Sequence, residues 1–154
     1  MDKLLVLQKR AMRLMTFNVQ YPVLPGPLKP ADPIFVKLGT LKIDDIYKYQ
    51  VSKFIYKCIH QLTPVNFHNW FNFISSIHGY CTRSKFNAND NLSTNKLFIP
   101  FARTTNYGLK QLTVNGPRIW NALPDHLRNE ESLLKFLRKL KIYFISMYNQ
   151  STVA

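Results

Sequence analysis

The stretch IDDIYKYQVSKFIYKCIHQL, residues 43–62, decides the fold. Ile43, Tyr47, Val51, Phe54, Ile55, Cys58, Ile59 and Leu62 recur at three- and four-residue intervals. At 100° per residue this gathers them into one apolar stripe of a helix. Asp44 stands where a cap is wanted, and Pro64 ends the run. Lys53, Lys57 and His60 fall on the back of the same helix.

Two further segments carry this period. In the amino-terminal basic amphipathic helix, residues 1–20, Leu4, Leu7, Ala11, Leu14 and Met15 form the apolar side, with Lys9, Arg10 and Arg13 opposite. A last helix runs from Ser132 as cap to about Tyr148. It turns Leu133, Phe136, Leu137, Leu140, Phe144 and Met147 to the core and Lys135, Arg138 and Lys139 away from it. Between the first helix and the central one, Pro22, Pro25, Pro27, Pro30 and Pro33 make residues 21–33 a Pro-rich extended connector, because each fixes φ and removes a donor. Residues 34–148 then form the main domain and 149–154 a tail.

The remainder is less regular. Phe67 to Ile77 is aromatic and Asn-rich without clear period, and residues 86–96 are polar turn formers that read as a loop. Leu97 to Arg103 alternates Leu97, Ile99 and Phe101 on one face. Leu109 to Val114 is a second extended candidate, with Tyr107-Gly108 turning between them and Pro100 confining the pair to an edge. Gly116-Pro117 opens a short helix carrying Ile119 and Trp120, which Leu123-Pro124 breaks. The expected fold is mainly α with a small β element: three principal amphipathic helices and a short β-hairpin.

Composition sets the function classes. The 154 residues carry 21 Lys and Arg against 8 Asp and Glu, a net +13, and 46% are hydrophobic, enough for an ordinary core. No run approaches the ~18 apolar residues that cross a bilayer, and the start lacks the pattern of a secretory signal, so an intracellular setting is expected. Cys58 and Cys81 make no disulfide framework. So large a positive excess is self-repelling, and polyanions relieve it by counterion release.

Catalytic patterns do not assemble. Asp44-Asp45 superficially resembles the paired carboxylates of a metal-dependent polymerase, yet its flank is helical and no suitable third carboxylate lies upstream. Cys58, His60, His78 and Cys81 are zinc-type ligands, but 200° of helix separates Cys58 from His60. No Walker loop, Gly-x-Ser-x-Gly elbow or Gly-x-Gly-x-x-Gly turn occurs. Neither a cofactor nor a metal is expected, and an autonomous enzyme is not.

The block Gly116-Pro117-Arg118-Ile119-Trp120-Asn121-Ala122-Leu123-Pro124-Asp125-His126-Leu127 is more specific. It resembles the tail of reverse transcriptases from non-LTR (LINE-type) retrotransposons, particularly the jockey-like group, with its Gly-Pro-x-x-Trp-Asn-x-Leu-Pro-x-x-Leu signature. Leu7-Gln8-Lys9-Arg10-Ala11-x-Arg13 resembles the segment following the polymerase proper. Asp32-Pro33-Ile34-Phe35 with Leu38, Leu41 and Ile43 resembles the entry to its long helix. His78-x-Tyr80-x-Thr82-Arg83 matches a further block, as do Pro100, Arg103, Thr104 and Gly108. The order is kept from about residue 4 to residue 148. The chain departs in its proline-dense connector and in Gln111, where a small hydroxyl residue is common.

The resemblance implies an RNA-directed DNA polymerase as the parent, whose fingers, palm and endonuclease would precede this region. It implies a role in holding template RNA, primer or target DNA. Basic residues on the three helices, Lys9, Arg10 and Arg13, Lys53 and Lys57, and Lys135, Arg138 and Lys139, suit phosphate contacts, as does Arg83; any one stripe alone reads better as a solvated face, and convergence of all three on one surface would favour phosphate. His78, Tyr80, Thr82 and Arg83 either stack on bases and bind phosphate or pin a loop. Trp120 reads as a core anchor shaped by Gly116 and Pro117, with Asn121 bonding backbone in the turn before Pro124. The expected partner is RNA or DNA in a nuclear or cytoplasmic ribonucleoprotein, with no membrane. Two alternatives stand beside this: a module docking on the missing polymerase core, self-associating through the surface so exposed, and a decayed transposon copy with no selected function.

Overall fold

The structure is a computed structural model that describes residues 2–20, 31–77 and 95–150. It is mainly helical. The elements are α1 (Asp2–Gln20), α2 (Asp32–Leu38), α3 (Ile43–Ile59), a 3₁₀ turn (Val65–Phe67), α4 (Ile74–Ile77), a π-helical turn (Thr105–Leu109), α5 (Leu112–Asn121), α6 (Asp125–Arg128) and α7 (Leu133–Gln150). The chain packs as two units, residues 1–49 with 138–154 and residues 50–137.

In the first unit, Met12, Ala31, Phe35 and Tyr148 form a buried cluster flanked by Ile34, Val36 and Ile145. Asp32 and Pro33, expected to end the connector, open α2, where proline in the first turn forfeits no helical hydrogen bond. Gly39 at φ +60° closes α2, with Thr40 N–H donating to Phe35 O at 3.0 Å and Gly39 N–H to Val36 O at 3.1 Å. Gln8 fixes α1 to the following linker: its amide nitrogen donates to Leu41 O at 2.8 Å and its oxygen accepts from Ile43 N–H at 2.9 Å. Tyr148 Oη donates to Asp45 Oδ2 at 2.7 Å and accepts from Lys42 N–H at 3.0 Å. Lys42 Nζ lies 4.3 Å from the centre of that ring and pairs with Asp32 at 2.9 Å. Asp44 sits inside the first turn of α3, so it does not cap the helix as expected; backbone bonds from Asp45 and Ile46 to Lys42 O start it.

The sequence placed the wrong face of α1 inward. Met12 and the half-buried Leu5, Gln8 and Thr16 pack, whereas Leu4, Leu7, Ala11, Leu14 and Met15 are exposed, Leu14 by 74% and Met15 by 69%. The helix has two apolar edges roughly a quarter-turn apart, and tertiary packing chose the narrower one.

In the second unit the core holds Val51, Ile55, Tyr56, Cys58, Phe71, Leu97, Val114, Trp120, Leu123, Leu127 and Phe136. Tyr56 stacks on Phe136 with centroids 4.5 Å apart, and its hydroxyl donates to Glu131 O at 2.6 Å. α3 stops at Ile59, before Pro64, through Gln61 in the left-handed region at φ +56° and a Leu62 N–H bond to Lys57 O at 2.8 Å.

The expected β-hairpin is absent among the described residues. Leu109–Val114 is helical over most of its length, and Leu97 makes an isolated antiparallel bridge with Phe73. Of the supposed inward face only Leu97 is buried; Ile99 is exposed and Phe101 almost wholly so. α5 begins at Leu112, upstream of the Gly116-Pro117 expected to open it. Pro117 occupies the sixth position and withdraws one helical hydrogen bond while lying fully buried. Gly116 lets α5 approach α3: a Cβ there would stand 3.1 Å from Ile55 Cδ1 and 3.3 Å from Phe71 Cε1. Met147 is exposed, and Tyr148 takes the buried place expected for it on α7. Met147 lies only about 20° from Leu140 around the helix, so its exposure does not follow from the helical period.

Candidate nucleic-acid interface

Each cationic stripe takes its position from the apolar face behind it. On α7, burial of Phe136, Leu140 and Phe144 turns Lys135, Arg138 and Lys139 into solvent, within about 100° of arc. Lys141 is exposed on the same helix, and α7 contains no Asp or Glu. This is a surface of one sign along a single helix.

The other two stripes are less open. On α1 Arg10 is exposed, bordering a shallow depression with Lys3, Val6 and Leu7, while Lys9 and Arg13 are half-buried because the helix packs on its Met12 edge. On α3 Lys53 and Lys57 are both half-buried. His60 is exposed and stacks on Tyr56 at 4.1 Å between ring centres; desolvation there lowers its pKa below the ordinary histidine value. Cys58 is buried, its Sγ accepting from Thr63 Oγ1 at 3.8 Å, and burial raises its pKa. Among the described residues no group of three or more His, Cys, Asp or Glu is placed to hold a metal ion. Asp45 is engaged by Tyr148 and by Lys48 at 3.1 Å. Arg128 is buried and ion-paired with Asp125, so its charge is not offered to a ligand. Among the described residues, no helix is long and apolar enough to cross a membrane.

The signature residues hold structure. Trp120 is buried, and its Nε1 donates to Asn95 O at 3.1 Å. Asn121 reaches the same segment: its oxygen accepts from Leu97 N–H and its nitrogen donates to Leu97 O, both at 2.8 Å. Its backbone partner is therefore 24 residues away and not in the local turn. Pro124 stands just ahead of α6 and separates it from α5. His78, Tyr80, Thr82 and Arg83, and most of the loop at 86–96, lie outside the described residues.

One group escaped the sequence reading. Lys96, Phe98, Ile99, Phe101, Arg103, Tyr107 and Lys110 are all exposed. The usable signal was charge: no Asp or Glu occurs between residues 91 and 124.

No protein-family model matches the chain, and neither the curated proteins nor the solved structures contain a significant match to it.

Proposed function

We propose that the chain is a non-catalytic nucleic-acid-binding domain of the kind that ends LINE-type reverse transcriptases. It holds RNA or DNA by its phosphates without reading sequence. The observation that carries this is the carboxylate-free α7, whose Lys135, Arg138 and Lys139 share one exposed arc. Arg10 on α1 adds to it, and Lys9, Arg13, Lys53 and Lys57 contribute through partly buried stems. The net charge of +13 favours polyanions at long range.

Binding is measured by fluorescence anisotropy over a salt series. Neutralising about five phosphates gives a log–log slope of roughly −3.5 on single strands and −4.5 on duplex. Changing Lys135, Arg138 and Lys139 together to Gln reduces the magnitude of that slope by about two on single strands and nearly three on duplex. A slope near zero in the unaltered protein contradicts the proposal.

A second reading has its own support. The exposed Leu4, Leu7, Leu14 and Met15 of α1 suit docking on a polymerase core. It predicts concentration-dependent self-association by light scattering, relieved by Leu7→Gln with Leu14→Gln.

A further inference from the structure

We propose that the exposed segment Lys96–Lys110 is a stacking platform for single-stranded nucleic acid, with Phe101 and Tyr107 contacting bases and Arg103 and Lys110 contacting phosphates. This rests on the nucleic-acid reading above and narrows it to a strand type and a second set of residues.

Phe101 is 88% exposed and Tyr107 83%, more than any other large apolar side chain described. A rigid base supports them. Trp120 and Asn121 bond the backbone at Asn95 and Leu97, and α5 takes over at Leu112 with Val114 buried. Between these anchors the chain folds back on itself. Thr104 O accepts from Gly108 N–H at 3.1 Å and from Leu109 N–H at 3.0 Å, and Gln111 N–H donates to Gly108 O at 3.1 Å. Gly108 lies so close to Ala102 that a Cβ on it would meet Ala102 Cβ at 2.9 Å and Thr104 Oγ1 at 3.1 Å.

That contact sets the spacing of the aromatics. Phe101 precedes Ala102 and Tyr107 precedes Gly108, so their Cα atoms are at most about 13 Å apart. One short strand reaches both.

The charge around them selects the occupant. Lys96, Arg103, Lys110 and Arg118 are exposed, and no acid lies between residues 91 and 124 to compete. A protein partner would have to bring its own carboxylates, whereas a nucleic acid brings phosphates and flat rings together. The duplex is disfavoured because its bases are already stacked on each other, leaving no free face for a side chain. Aromatic rings flanked by cations match an unpaired strand.

The test uses the full chain, an unstructured oligothymidylate and a hairpin duplex over a salt series, with affinities compared at one fixed concentration within it. Phe101→Ala with Tyr107→Ala weakens oligothymidylate binding by at least about 30-fold, two stacks being lost. Duplex affinity and both salt slopes stay unchanged, since no charge is removed. Arg103→Gln with Lys110→Gln lowers the magnitude of the single-strand slope by about 1.4. Phe101→Trp with Tyr107→Trp retains affinity, and its fluorescence is quenched as bases stack. Equal loss on both nucleic acids, no loss on either, or Trp emission indifferent to the oligonucleotide overturns the platform while leaving the phosphate grip in place. An alanine pair that abolishes self-association without altering oligonucleotide affinity overturns it in favour of a protein contact. If the unaltered protein binds neither nucleic acid at low salt, the broader reading fails with it.

Discussion

Two side-chain amides, Gln8 and Asn121, pin backbone far along the chain by pairing a donor with an acceptor. Asn121 serves Leu97, which is fully buried, so its loss strands an N–H and a carbonyl away from water. Asn121→Ala should lower unfolding free energy by about 2–4 kcal/mol in a denaturant titration. Asn121→Asp should not restore it, because a carboxylate cannot donate to Leu97 O. Gln61 offers the opposite case. It holds the left-handed conformation at φ +56° that closes α3, a position glycine occupies without strain. Gln61→Gly should stabilise the protein by about 0.5–1 kcal/mol, visible as a raised Tm. That Trp120 is an anchor was legible, since a turn-flanked aromatic between apolar neighbours has few other uses. The partner of Asn121 was not, because a hydrogen bond spanning 24 residues leaves no local trace.

At the level of elements, α3 and α7 were readable because 3.6-residue period and helix breakers are local properties. The hairpin was misread because Leu97, Ile99 and Phe101 alternate like a strand, yet Leu97 pairs with Phe73 and the chain beyond it turns outward. The face of α1 was misassigned because both of its apolar edges satisfy the same periodicity. The two edges differ in what substitution does. Met12→Ala should cost about 2–5 kcal/mol, whereas Leu7→Gln or Leu14→Gln should stay within about 0.5 kcal/mol of the parent. Urea titrations of the three variants check this. A large loss at Leu14 would mean that the stripe is covered. Of the candidate site, the exposure of Lys135, Arg138 and Lys139 on one arc of α7 was legible in sequence. The half-burial of Lys9, Arg13, Lys53 and Lys57 was not, since it follows from which edges pack.

Across the whole molecule, titration limits stability on both sides of neutrality. Burial raises the pKa of Tyr49, Tyr56 and Tyr148 above the ordinary tyrosine value, for Tyr148 with help from the Asp45 hydrogen bond. Above about pH 10 the unfolded chain releases these protons before the native one does, so stability falls as pH rises. His60 acts at the acid end. Its lowered pKa means that the unfolded chain takes up the proton first, and stability falls as pH drops below about 6.5. Tyr148→Phe should reduce absolute stability and flatten the alkaline limb, leaving the acid limb in place, in thermal melts across pH.

The antiparallel meeting of Phe73 with Leu97 also has an architectural consequence. With Asn121 as a second fastening at Leu97, the neck of the stretch between residues 74 and 96 is secured from outside that stretch. Asn121→Ala would remove one of these two fastenings at Leu97 and leave the bridge to Phe73 as the other.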